Sequence, residues 1–215
     1  EDVGRVPTDR PLAAPVERPE VLAEDLTSPT EMVELGGAWY VLDEGEEALF
    51  RVEEGSLVPE LVTDDLAGPC DMVSDGVDLY VADCDAEEIL RVATDGSVEV
   101  LATGQAEVTQ ILAGDGEVFW VSAEGIMVLA ENGQPARLAE LSAVTHVSLS
   151  ADHVYYTAEV GSDGADELGR VPRGGGDIEV LVGSFGSGYY PWGVAYDPVE
   201  DIVYYLVRLN TWPSS

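Results

Sequence analysis

The sequence predicts an all-β fold: a five-bladed β-propeller of four-stranded antiparallel blades, with the last blade closed by strands from both termini. Three observations predict it. Aromatic doublets recur inside short β-type runs at near-constant spacing, turn glycines punctuate the intervals, and the two chain ends carry complementary parts of one unit.

The doublets come first. They are Trp39-Tyr40-Val41, Leu79-Tyr80-Val81, Phe119-Trp120-Val121, Tyr155-Tyr156-Thr157 and Tyr204-Tyr205-Leu206. Taking the second member as the phase mark gives Tyr40, Tyr80, Trp120, Tyr156 and Tyr205, at steps of 40, 40, 36 and 49 residues. Large rings at the same place in every unit are what packing between blades requires.

Each mark has the same neighbours. Upstream lies a short strand (29–33, 69–73, 108–112, 144–148 and 191–195), in three cases opening on proline. A turn such as Asp75-Gly76 or Asp115-Gly116 joins it to the aromatic strand, because glycine takes positive φ without steric cost. Downstream comes a third strand, often ending in Arg-Val, as in Arg51-Val52, Arg91-Val92 and Arg170-Val171. A fourth follows at 60–62, 99–101, 136–138 and 179–181.

The C-terminal end supplies only the first two strands of a fifth unit. At the other end, Val3-Gly4-Arg5-Val6-Pro7 matches the third-strand sequence Leu168-Gly169-Arg170-Val171-Pro172, and Glu20-Val21-Leu22-Ala23 matches a fourth strand. One domain over 1–215 therefore divides into units at about 29–66, 69–104, 108–141 and 144–183, with 191–208 completed by 2–26. Closure of this kind removes the exposed sheet edge. The alternative is a segment of a six-bladed propeller.

The pattern Pro-x-x-hydrophobic … Val-Tyr-Tyr … Arg-Val-Pro-x-Gly-Gly, best seen in 151–181, resembles the NHL and YWTD-type propeller repeats. It is similar in particular to the variant found in secreted proteins and lipoproteins of myxobacteria and related bacteria. The resemblance implies a fold rather than an activity. It also implies that ligands meet the face carrying the loops before the first strand and after the second, around a central channel.

Two residues after each proline or its equivalent stand Glu31, Asp71, Gln110, His146 and Gly193. Four of these five are polar and would ring the channel mouth. Glu31, Asp71 and His146 are the candidate metal ligands there. Ca²⁺ wants six to eight oxygens, which two carboxylates and an amide supply only with waters, whereas His146 suits a borderline metal. The competing reading is that these side chains satisfy backbone groups and channel water. Insertions at 161–167 and 184–190 fall on the same face. Tyr189, Tyr190 and Trp192 there offer apolar area with polar tips, fit either for binding a partner or for packing the fourth unit on the fifth.

Cys70 opens a first strand and Cys84 ends the next one, so a disulfide between them is expected, the alternative being two buried thiols. A disulfide belongs to an oxidising, extracytoplasmic setting: secreted, periplasmic or surface-anchored. A start at Glu1 rather than Met fits a mature form released from a signal peptide, or a recombinant fragment. The 43 acidic residues against nine arginines and no lysine give −34, a field that repels nucleic acid and anionic membrane surfaces. No apolar run reaches the roughly 18 residues of a membrane span.

The expected function is a monomeric, non-enzymatic binding or interaction module for a protein, peptide or glycan. The alternative is a metal-dependent hydrolase, lactonase or lyase that uses the channel ring with a divalent cation such as Ca²⁺. No nucleophile motif such as Gly-x-Ser-x-Gly occurs, and Arg173-Gly174-Gly175-Gly176 lacks the end of a phosphate loop and reads as a turn.

Overall fold

The computed structural model describes residues 23–159, 166–185 and 189–209. The first unit comprises β1 (Pro29–Leu35), β2 (Ala38–Asp43), β3 (Ala48–Glu53) and β4 (Glu60–Thr63). The second comprises β5 (Pro69–Ser74), β6 (Leu79–Asp83), β7 (Glu88–Val92) and β8 (Val98–Thr103). The third comprises β9 (Gln110–Gly114), β10 (Glu117–Ser122), β11 (Gly125–Leu129) and β12 (Pro135–Ala139). The fourth comprises β13 (Val144–Leu149), β14 (His153–Ala158), β15 (Glu167–Pro172) and β16 (Glu179–Val182). Each is a four-stranded antiparallel sheet in chain order, and β17 (Tyr189–Asp197) pairs with β18 (Ile202–Leu209) as a two-stranded sheet.

The first strands pack in sequence, β1 on β5, β5 on β9, β9 on β13 and β13 on β17, which places them innermost around one axis. This is a β-propeller. Its core lies between blades. Leu42, Leu49, Met72, Leu79 and Val81 join the first two units, Ile89, Ile111 and Trp120 the next two, and Phe119, Val147 and Tyr156 the third and fourth. The recurring Arg of the third strand pairs across the sheet with a Glu of the fourth: Arg51 with Glu60, Arg91 with Glu99, Arg170 with Glu179. These pairs are exposed, so each contributes well under about 1 kcal/mol.

The aromatic phase differs from the expected one. The register sets Met72 opposite Val81, Ile111 opposite Trp120 and Val147 opposite Tyr156. Val41 and Val81, not Tyr40 and Tyr80, therefore share the place of Trp120, Tyr156 and Tyr205. The equivalents of Tyr40 and Tyr80 are Phe119, Tyr155 and Tyr204. A slip of one residue exchanges the two faces of a strand, so Tyr40 and Tyr80 look toward the following unit while Trp120 and Tyr156 look toward the preceding one. Glycine marks a close approach in β15, where a Cβ at Gly169 would overlap the Tyr156 ring.

Among the described residues β17 and β1 share no packing comparable to the other joints. Faces beside this gap are open. Met32 is 44% exposed where its equivalent Met72 is 4%, and Tyr204 and Leu206 stand 52% and 66% exposed. Residues 2–22 of the segment expected to complete the fifth unit lie outside the described residues, as do 161–165 and 186–188 of the two insertions.

Candidate functional site at the channel mouth

The five ring positions occupy one register site, pairing with Leu42, Ala82, Val121, Thr157 and Leu206 of the second strands. In four of the five units a register shift immediately precedes the ring residue; the third, with Gln110, has none. What the side chains do there differs from joint to joint.

Asp71 reaches the third unit: its Oδ2 accepts the Ile111 N–H at 2.7 Å, and its Oδ1 accepts the Met72 N–H at 3.0 Å. Gln110 repeats the move one unit on, its Oε1 accepting from Val147 N–H at 2.9 Å and its Nε2 donating to Val147 O at 3.3 Å. These two side chains are inter-blade latches. Burial pushes the Asp71 carboxyl up to about 6, helped by the charge of Glu31 and opposed by the two N–H donors.

The sequence breaks away on either side of that pair. Glu31 is exposed. His146 faces the fifth unit with its ring centroid 6.3 Å from that of Trp192, and its Nδ1 is buried without a hydrogen-bond partner. Burial lowers its basicity. Gly193 has no side chain to extend.

The joint between the fourth and fifth units uses other groups. Tyr155 stacks on Tyr196 at 5.7 Å, and Ser148 Oγ accepts from Tyr196 N–H at 3.0 Å. The aromatic trio divides: Tyr190 is half-buried, whereas Tyr189 and Trp192 are 45% and 49% exposed. Arg208 lies over the Trp192 ring, 5.2 Å from its centroid. Among the described residues no three His, Cys, Asp or Glu side chains converge closely enough to hold a metal ion.

Cys70 and Cys84 form a disulfide, with Cα atoms 5.8 Å apart. Their sulfurs lie 3.9 and 3.3 Å from Val108 O; a disulfide has no S–H, so this is a packing contact on the third unit. The bridge closes the open end of the β5–β6 hairpin, where Cys84 N–H also donates to Gly68 O.

Three structural residues escaped the sequence reading. Asp43 accepts from Thr27, Ser28, Gly45 and Glu46 N–H and so fixes the loops at the channel face, and Asp83 holds Ala67 N–H in the same way. Arg173, first residue of the glycine-rich turn on the opposite face, is a hub. It is 7% exposed, bonds Asp115, Glu117, Gly114 O and Ser150 O, and lies over Phe119. The recurrence of Asp43 and Asp83 at the same place in two units was the available signal; for Arg173 there was none.

No family model matches the chain, and no curated protein matches it. Solved structures do. A chain of the nidogen/laminin complex superposes with a TM-score of 0.60 at 19% identity, over 79% of this chain and 67% of that one. A gluconolactonase from Xanthomonas campestris gives 0.61 at 15% identity, over 86% and 71%. A virginiamycin B lyase from Staphylococcus aureus gives 0.60 at 14%, over 87% and 66%. At these identities the likeness is one of fold, and it is the propeller fold of NHL and YWTD-type repeats.

Proposed function

We propose that this propeller is a non-enzymatic, extracytoplasmic binding module whose contact surface is the channel face of the fifth unit. The observation that carries the reading is the exposure of Trp192, at a place where the other units present threonine or cysteine, together with that of Tyr189 three residues before it. Exposed aromatic rings on rigid strands are the composition of interaction hot spots. Asp71 and Gln110 are meanwhile committed to backbone groups of the next blade, which leaves little of the ring to act on a substrate. The fold of the nidogen/laminin chain is compatible with a role in protein interaction, and the disulfide agrees with an oxidising compartment.

Protein, peptide and glycan ligands all fit such a surface. The test is to probe peptide and glycan arrays with the wild type and with the double variant Tyr189→Ser, Trp192→Ser. Loss of binding at unchanged melting temperature supports the proposal. Equal binding by both proteins sinks it, and a large fall in melting temperature assigns the rings to packing.

A second reading, a metal-dependent hydrolase or lyase working at the ring, draws on the raised Asp71 carboxyl and on the fold shared with the lactonase and lyase. Elemental analysis after incubation with Ca²⁺, Mg²⁺ and Zn²⁺ tests it. One bound divalent ion per chain, lost in Asp71→Ala, would bring the enzyme forward.

A further inference from the structure

Arginine is scarce in this chain and carboxylates are abundant, so an arginine without an acidic partner is an anomaly. Six of the nine arginines are described. Arg51, Arg91, Arg137, Arg170 and Arg173 each sit on one or two carboxylates. Arg208 is, among the described residues, in no ion pair; its guanidinium rests on the Trp192 ring instead. A guanidinium held over a ring by its charge spends none of its N–H groups on a carboxylate, so the fork that matches one stays uncommitted.

The repeat is broken at the same spot. The residue before the ring position is Thr30, Cys70, Thr109 and Thr145 in the first four units, then Trp192. The Thr30 hydroxyl donates to a carbonyl of its own blade, that of Thr145 lies within reach of Thr157 O and Pro191 O, and Cys70 is held in the disulfide. Trp192 can do neither and projects into solvent. Beside it, the position that latches units at Asp71 and Gln110 carries His146, whose Nδ1 is sealed from water with no partner. A cation with free donors, an exposed indole and an unpartnered imidazole nitrogen thus meet at one joint. None of the three is required by the repeat.

We propose that Arg208, Trp192 and His146 form a binding site for the carboxylate of an acidic ligand, either a small organic acid or the free C-terminus of a peptide. Arg208 supplies the paired donors, Trp192 holds the guanidinium in place and offers its edge to the ligand's apolar body, and His146 lines the inner side. The inference rests on the reading of the chain as a binding module and names the chemistry of what it binds. A net charge of −34 opposes the approach of any anion, so affinity is modest, with a dissociation constant of about 0.1–1 mM, and it responds to salt.

The chain has only two histidines, so the ring protons of His146 and His153 are separately readable by NMR. The probes are benzoate, an N-acetylated tetrapeptide with a free C-terminus, and the same peptide amidated. The expected result is a saturable shift of His146 but not His153 with the two acids, at least tenfold weaker in Arg208→Gln and unchanged in Arg137→Gln. A response to the peptide acid alone assigns the site to chain termini, and one to benzoate as well assigns it to organic acids in general. No shift with either acid at millimolar concentration overturns the carboxylate site while leaving array binding by Tyr189 and Trp192 untouched. Equal shifts from the acid and the amide, or an undiminished response in Arg208→Gln, overturn it as well. Arg208 is exposed, so the variant is expected to fold as the wild type does, which circular dichroism checks.

Discussion

The second-to-fourth joints and the fourth-to-fifth joint are built from one repeat and solve different problems. Between the second, third and fourth units every polar group at the ring position reaches the next blade, as Asp71 to Ile111 and Gln110 to Val147 show. A disulfide and the Arg173 hub secure the same joints. Between the fourth and fifth units the ring position carries His146, whose Nδ1 has no partner, and the Ser148 bond to Tyr196 N–H together with stacking of Tyr155 on Tyr196 takes over. A repeat array can relax its stitching at one joint because the others suffice, and the relaxed joint is free to present side chains outward.

The contrast is sharpest at arginine. Arg173→Met leaves two carboxylates unpaired and strips donors from Gly114 O and Ser150 O, so a loss of about 3 kcal/mol is expected in urea unfolding. Arg208→Met should stay within about 0.5 kcal/mol of the wild type. Equal losses would erase the distinction between the joints.

The disulfide comes next. Opening it with the pair Cys70→Ser, Cys84→Ser frees a segment spanning 14 residues of separation and is expected to cost up to about 3 kcal/mol. Hydrogen exchange should rise first in 69–84 and at Val108 and leave β17 protected as before.

Smaller effects separate the latches from His146. Gln110→Ala removes two hydrogen bonds and should cost about 1–2 kcal/mol, whereas His146→Ala, at the equivalent position, should cost less than about 1 kcal/mol. Thermal or urea midpoints decide, and the reverse order would mean that His146 is the structural member.

The most delicate prediction concerns pH. The Asp71 carboxyl is raised in the folded protein from its ordinary 3.8 to about 6, so the folded state holds that proton more tightly than the unfolded one. This contribution is fully present below pH 4 and is lost as pH rises through about 6. In Asp71→Asn it disappears. The variant should therefore gain on the wild type, by about 1–2 kcal/mol, as unfolding midpoints are compared from pH 4 to pH 7. Parallel pH curves would show Asp71 to be solvated.

Much of this was legible from residues alone. Strand positions followed from turn glycines and alternating runs, and the Cys70–Cys84 bridge from the open end of one hairpin. The phase of the aromatics was not legible. Trp39-Tyr40-Val41 and Tyr155-Tyr156-Thr157 look alike as strings, yet only the pairing across to Met32 and Val147 reveals which ring faces which neighbour. The ring was found as a set of positions, but whether Asp71 points at a ligand or at a backbone amide depends on a turn of the bulge that no residue type encodes. Arg173 hid for a related reason, since its partners lie 22 to 59 residues away in sequence.

The latches at Asp71 and Gln110 grip main-chain atoms, which every amino acid shares, and they always point forward along the polypeptide. A blade so joined asks nothing of the identity of its successor. Duplication or loss of a stretch of about forty residues, in frame, would leave the seam chemically intact. The gene could then lengthen or shorten by whole blades while one joint at a time is released to evolve specificity.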